Sequence, residues 1–136
     1  TVLVSGDDLR KIFGFKKYDA KSRIILSRKF CKFAKFITNQ KINLIFAIVG
    51  LMDEPRKWNK RNIKNYVEIY IKADLKKIIN LGKKKIYKSK KKDKIVGINI
   101  PPEFPKKPDI IMNNNFSKNT NLLSKELFKK IKKKYL

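Results

Sequence analysis

Apolar positions along the chain recur with two different periods, and the change from one to the other sets an order of elements. Val2 to Ser5 reads as a short buried strand, and a helix from near Asp7 carries Leu9, Ile12 and Phe13 inward until Gly14-Phe15 breaks it. From about Asp19 to Thr38 the chain predicts a long helix, with Asp19 as its N-cap. Leu26, Phe30, Phe33 and Ile37 fall on one face of it, widened by Ile25, Ala34 and Phe36. Asn43 to Val49 is almost wholly apolar, as expected of a central parallel strand covered on both faces.

A short helix is expected around Pro55 to Ile63, with proline early, where it is tolerated. Tyr66 to Ile71 alternates as a strand does, and Asp74 caps a helix to about Leu81. Lys83 to Lys94 has almost no apolar periodicity, and Gly97 to Pro108 holds four of the five prolines. Together they read as a loop or lid over about 83–108 on a turn-rich path. Asp109 to Met112 is the last strand. A final helix opens at Asn119 or Thr120, with Leu123, Leu127 and Ile131 on one face.

Strands alternating with helices predict an α/β fold, layered around a parallel sheet. The 136 residues suit a single domain, 1–136. Ligands of such sheets sit beyond the carboxyl ends of the strands. Three loops leave strand ends here, Ser5 to Arg10, Val49 to Arg56 and Lys72 to Asp74, and they are expected to line a common site.

Composition removes several chemistries. There is no His, so Ser–His–Asp and Cys–His sets and imidazole metal sites are excluded. Cys31 is alone, which excludes a disulfide framework and a thiolate zinc site and suits a reducing cytoplasmic setting. No apolar run approaches the roughly 20 residues of a spanning helix, so no membrane partner is expected. The net charge of +25 invites a nucleic-acid reading, yet only five of the 36 basic residues are Arg. Phosphate clamps and base readers favour the arginine fork. Solvated lysines are therefore the preferred reading, with a positive field that would gather polyanionic nucleotides.

Ser5-Gly6-Asp7-Asp8-Leu9-Arg10 is the most informative stretch. Glycine allows a tight turn after a strand. Asp7 stands at a helix start, and Arg10 lies one turn on along the same side. A carboxylate able to take a hydroxyl proton or hold magnesium, beside a guanidinium able to grip phosphate, suits phosphoryl transfer. The structural alternative is a capping Asp with a surface ion pair. No GxxxxGK[ST] phosphate loop occurs in these residues. The chain opens at Thr1 directly into Val2-Leu3-Val4, and the expectation is a fold entered partway.

The order of motifs resembles that of adenylylsulfate kinases over nearly the whole chain. Ser5 to Arg10 is similar to their Asp-Gly-Asp-Asn-Leu/Val-Arg, and Phe13-Gly14-Phe15 followed by Asp19 to their Leu-Gly-Phe and Asp-Arg. Ala47 to Leu51 resembles the end of the strand written Phe-Ile-Ser-Pro, and Tyr66 to Ile71 resembles Phe-Ile-Glu-Val-Tyr-Val. Lys84 to Ser89 resembles the lid motif Lys-Gly-Leu-Tyr-Lys-Lys, and Ile95 to Asp109 keeps the spacing of the segment that follows.

The resemblance implies a three-layer P-loop kinase fold whose first strand and P-loop lie outside these residues. It implies transfer of the γ-phosphoryl of ATP to the 3′-hydroxyl of adenylylsulfate, with Mg2+ and ATP held mainly by that outside segment. These residues alone would then be inactive. By the same resemblance Asp7 would orient or deprotonate the acceptor hydroxyl and Arg10 would hold the phosphosulfate. Phe15 would stack on the acceptor base, Ile48 and Val49 would touch the acceptor, and Lys88 would sit in the lid near the nucleotides. A homodimer is compatible with it.

Departures stand beside the matches. Ser5 replaces the first Asp of the motif, Ala20 the Arg of Asp-Arg, and Gly50-Leu51 the Ser-Pro; Leu81 replaces a lid Arg and Ile95 an aromatic. Arg23 falls where the acceptor-binding Asn is expected, adding a positive charge for a more anionic acceptor group. Two further readings stay open. One is a kinase for another nucleotide, such as the cytidine diphosphoramidate kinases of capsule modification, whose branch Trp58 to Tyr66 resembles. The other is an inactive nucleotide-binding paralogue.

Overall fold

The computed structural model describes residues 1–81 and 95–135. Within them the order is β1 (Val2–Ser5), α1 (Gly6–Ile12), α2 (Ala20–Asn39), β2 (Leu44–Ala47), α3 (Asp53–Asn62), β3 (Ile69–Lys72), α4 (Leu75–Asn80), β4 (Ile110–Asn113) and α5 (Thr120–Tyr135). Both strand pairs are parallel, as the strand–helix alternation predicts. The chain divides into two compact units: residues 1–66 with 95–104, and residues 67–81 with 105–135.

In the first unit β1 pairs with β2, Val2 opposite Leu44 and Ser5 opposite Ala47. The core beneath this pair is Leu9 of α1 with Leu26 and Phe30 of α2, joined by Val4, Phe15, Phe33 and Phe46. The rings of Phe30 and Phe46 lie 5.5 Å apart, which ties α2 to β2. Asp19 caps α2 as expected, its carboxylate accepting the Ser22 N–H at 2.9 Å.

Several expected faces turn out differently. Neither β1 nor β2 is covered on both sides: Leu44 and Phe46 are half-buried, while Ile45 is 56% exposed and Leu3 is exposed too. In a pleated strand alternate residues leave opposite faces, and α2 covers only one of them here. Ile12 is exposed rather than inward, because α1 lasts under two turns and Leu9 is its one buried residue. Phe13 is partly exposed, yet its ring meets those of Phe30 and Phe33 on α2 at 6.4 Å and 6.5 Å between centres. Ile25 and Phe36 are exposed too; the buried stripe of α2 runs through Leu26, Phe30, Cys31 and Ala34.

Gly14 ends α1 for a definable reason. Its φ is +66°, the Phe15 N–H reaches the Arg10 carbonyl at 2.9 Å, and the Gly14 N–H reaches the Lys11 carbonyl at 3.1 Å. This is a Schellman cap, which needs a left-handed residue at that point. The chain leaves it turned back across α1.

In the second unit β3 pairs with β4, Ile69 opposite Ile110 and Lys72 opposite Asn113. β3 begins three residues later than its alternation suggests. Glu68 instead forms a clamp: its carbonyl accepts the N–H groups of Asp109 and Ile110, and its N–H donates to the Asp109 carboxylate. Asp74 caps α4 through the Lys77 N–H, and Asn119 caps α5 through the Leu122 N–H. Leu123, Leu127 and Ile131 form the half-buried stripe of α5, as expected. Of the anticipated lid, 83–94 lies outside the described residues, and 95–104 belongs to the first unit.

Candidate active site

The loop leaving β1 is organised by its own side chains. The Ser5 hydroxyl accepts the Asp8 N–H at 3.1 Å and donates to the Asp8 carboxylate at 2.6 Å. Ser5, a departure from the motif it resembles, thus serves as the N-cap of α1. Asp8 is occupied by this cap, whereas the exposed Asp7 carboxylate makes no hydrogen bond or ion pair among the described residues. Acidic groups in the first helical turn also suit the positive end of the helix dipole.

The loop leaving β2 comes up against the same point. With Ser5 opposite Ala47, the next residues on the two strands are Gly6 and Ile48. A Cβ placed on Gly6 would meet Ile48 Cγ2 at 3.0 Å, and one on Gly50 would meet the far end of the same side chain at 3.4 Å. Ile48 therefore lies against both glycines while staying 42% exposed, and Val49 stands 67% exposed.

Beyond Ile48 the loop is pinned by charge. The buried Arg56 of α3 donates to the Gly50 carbonyl at 2.6 Å and to the Asp53 carboxylate at 3.2 Å. Glu103 adds a second tie, its carboxylate accepting the Asp53 N–H and its own N–H reaching the Leu51 carbonyl.

On the other side of α1 the chain reversed by Gly14 brings in α2. The Arg10 guanidinium donates to the Lys17 carbonyl at 3.0 Å and lies 4.3 Å from the centre of the Tyr18 ring. The Arg23 Nε–H donates to the Tyr18 carbonyl at 2.7 Å, and its guanidinium lies 5.4 Å from the same ring centre. Partial burial and then the charge of Arg10 lower the pKa of Arg23, against the opposing pull of Tyr18 and Asp19.

Asp7, Arg10, Phe15, Arg23, Ile48 and Val49 all belong to the first unit. Phe15 is half-buried against the core cluster, with the Lys29 ammonium 5.0 Å from its ring centre. Lys88 lies outside the described residues, and the Lys72–Asp74 loop belongs to the second unit. Reading the sequence overlooked Tyr18, Arg56 and Glu103. Tyr18 announces itself only by being aromatic just before a capping Asp. Glu103 acts on Asp53 across the fold, so no local spacing reveals it, whereas Arg56 stands three residues from Asp53 on α3, a helical spacing that marks the pair.

No helix among the described residues is long and apolar enough to cross a membrane. Nor do three His, Cys, Asp or Glu side chains gather there as a metal cage. Mg2+ at phosphoryl-transfer sites is commonly held by one or two carboxylates plus substrate phosphates, and Asp7 fits that sparse donor set.

The adenylylsulphate kinase family model matches residues 1–113. The chain is 34% identical over 133 residues to the cytidine diphosphoramidate kinase of Campylobacter jejuni, covering 96% of this chain and 78% of that protein. It is 29% identical over 122 residues to the adenylyl-sulfate kinase of Clostridium kluyveri, covering 85% of this chain and 60% of that protein. Among solved structures it resembles the APS kinase of Mycobacterium tuberculosis in complex with AMPPNP and APS. There the TM-score is 0.80 at 16% identity, over 96% of this chain and 79% of that one. The α/β P-loop kinase fold expected from the motifs is thereby found.

Proposed function

The chain belongs to the adenylylsulphate kinase family, and from that footing we propose that it is the acceptor-binding part of an ATP-dependent nucleotide kinase. The single observation that carries this reading is the Asp7 carboxylate. It stands at the carboxyl end of a parallel strand, left over while Asp8 is used as a cap, with Arg10 one turn away.

In this reading the acceptor's hydroxyl oxygen attacks the γ-phosphorus of ATP. A new oxygen–phosphorus bond forms, the bond to the bridging oxygen breaks, and ADP leaves. Asp7 orients the hydroxyl and takes its proton as the bond forms. Arg10 binds the anionic tail of the acceptor, with the tenfold-scale leverage of a charge-assisted contact. Ile48 and Val49 supply apolar surface and backbone beside it, and Phe15 borders the acceptor base. Magnesium arriving with ATP would neutralise phosphate charge, and the described residues offer it at most Asp7.

Two acceptors are in contention. Cytidine diphosphoramidate is favoured by the identity and coverage of the Campylobacter kinase. It is also favoured by the changed residues Ser5, Arg23, Gly50 and Leu51, since sites built on specific polar contacts discriminate sharply when those contacts change. Adenylylsulfate is the second reading, supported by the family match over residues 1–113.

The test is ADP release by the protein from its full reading frame, given magnesium-ATP and each acceptor in turn. Turnover on one acceptor and not the other would choose between them. Silence on both from folded protein would end the kinase reading and leave a nucleotide-binding paralogue.

A further inference from the structure

We propose that α5 lies along the surface of an anionic phospholipid membrane, with Phe128 and Tyr135 entering the headgroup layer and Lys125, Lys129 and Lys132 meeting lipid phosphates. The role is separate from phosphoryl transfer and does not depend on it. A helix lying in the interface differs from a spanning one, because it needs one apolar side rather than a fully apolar length.

The inward side of α5 is already committed. Leu123, Leu127 and Ile131 recur every fourth residue as its half-buried stripe, and the helix packs on β4. Lys134 fastens the last turn to the start of β4, donating to the Asp109 carbonyl at 2.8 Å. Phe128 and Tyr135 take no part in that stripe and are 61% and 43% exposed. Seven residues apart, they share one side of the helix, about 10 Å from each other along its axis. Lys125 and Lys132 repeat that spacing and lie beside them around the helix, with Lys129 just beyond.

Charge on this side is uncompensated. The helix carries six lysines and one acid, Glu126, and that carboxylate is held by Lys118 at 2.7 Å. The Asp109 carboxylate, at the adjoining strand end, accepts the Glu68 N–H and has Lys134 beside it. Lys125, Lys129 and Lys132 make no hydrogen bond or ion pair among the described residues.

A flat, anionic and partly apolar surface fits this pattern. Two rings about 10 Å apart on a straight helix do not match neighbouring bases, which stack about 3.4 Å apart. Nor does α5 contain Arg, the side chain that phosphate clamps and base readers favour. Lysine suits a membrane surface, since its long stem lies along apolar material while the ammonium reaches the headgroups.

The probe is lipid vesicles, sedimented with the protein from its full reading frame. Vesicles of phosphatidylcholine with phosphatidylglycerol should carry the protein down, and vesicles of phosphatidylcholine alone should not. Lys125→Gln and Lys132→Gln should each weaken partitioning into the anionic vesicles by about fivefold, the scale of one lysine at such a surface. Phe128→Ser should weaken it by about tenfold, the scale of one ring leaving an apolar layer. Lys60→Gln, on α3, should leave partitioning near its starting value. Circular dichroism checks that each variant folds, and the exposed lysine variants test the surface even if Phe128→Ser does not.

No partitioning into the anionic vesicles, or equal partitioning into both kinds, would overturn the membrane role. So would folded Phe128→Ser that binds as tightly as the parent, or a loss in Lys60→Gln equal to that in Lys125→Gln, since either leaves only net charge. A protein that ignores vesicles yet binds a single-stranded oligonucleotide through Lys125 and Lys132 would overturn it too, and would give α5 to nucleic acid.

Discussion

Gly6 and Ile48 touch across the ends of two parallel strands so closely that a methyl group on Gly6 would sit 3.0 Å from Ile48 Cγ2. The contact follows from the register, because Ser5 faces Ala47 and the chains leave the ladder side by side. Gly6→Ala should therefore push the partly exposed Ile48 side chain toward the acceptor side and destabilise the protein by no more than about 1 kcal/mol, the low end of overpacking, since that side chain can give way. Adding Ile48→Ala should recover part of that loss. Denaturant unfolding of the single and double variants checks it, and additive losses would mean that the two residues do not press on each other.

Asp7→Asn removes the proposed proton acceptor while preserving shape. The expected outcome is a fall in kcat of about a hundredfold or more, the scale of general-base catalysis. The unfolding midpoint should stay near that of the parent, since the carboxylate makes no hydrogen bond or ion pair among the described residues and its interaction with the helix dipole is small. Near-normal turnover in the full reading frame would remove Asp7 from the chemistry.

Arg56 holds the loop after β2 from inside the fold. Arg56→Ala would leave the Gly50 carbonyl and the Asp53 carboxylate without the guanidinium that joins them. A loss of about 1–2 kcal/mol is expected, because the guanidinium is buried while the Asp53 carboxylate is partly exposed and keeps Lys57 at 2.6 Å. Arg56→Lys should restore only part of it, because an ammonium is a point charge and not a fork. Urea titration of the three proteins gives the comparison.

Cys31 supplies a pH dependence of known sign. Burial first, and then the nearby Glu54 charge, push its thiol up to about 11. In the fold the thiol keeps its proton after the unfolded chain, with a pKa near 9.0, has lost it. Stability should consequently fall as pH rises through that interval, and below it this contribution is fully present. Cys31→Ala should show a shallower decline between about pH 8 and pH 10.5 than the parent, which also separates the thiol from the lysines. Identical slopes would discard the thiol as the cause.

Much was already legible in the chain. The short strands, the capping roles of Asp19 and Asp74, the break at Gly14 and the parallel α/β class all follow from local chemistry. Period, cap and positive φ act within a few residues, so their signals are written in consecutive positions. The loop Ser5 to Arg10 could be picked out for the same reason. Whether a strand has one face covered or two could not be read that way. Asn43 to Val49 looks apolar throughout, yet Ile45 is largely exposed, because coverage depends on which helix arrives from elsewhere.

The sequence by itself thus determined which segments are helix and strand, and which carboxylate and arginine stand at the end of the first strand. Only the tertiary structure decided that Ile48 would lie against Gly6 across the strand ends and that Glu103 would reach Asp53 to tie down the next loop. The physical reason is range. Backbone propensities and caps are settled over one or two turns, whereas these contacts join residues that become neighbours only after strand register and helix packing have fixed where each loop emerges.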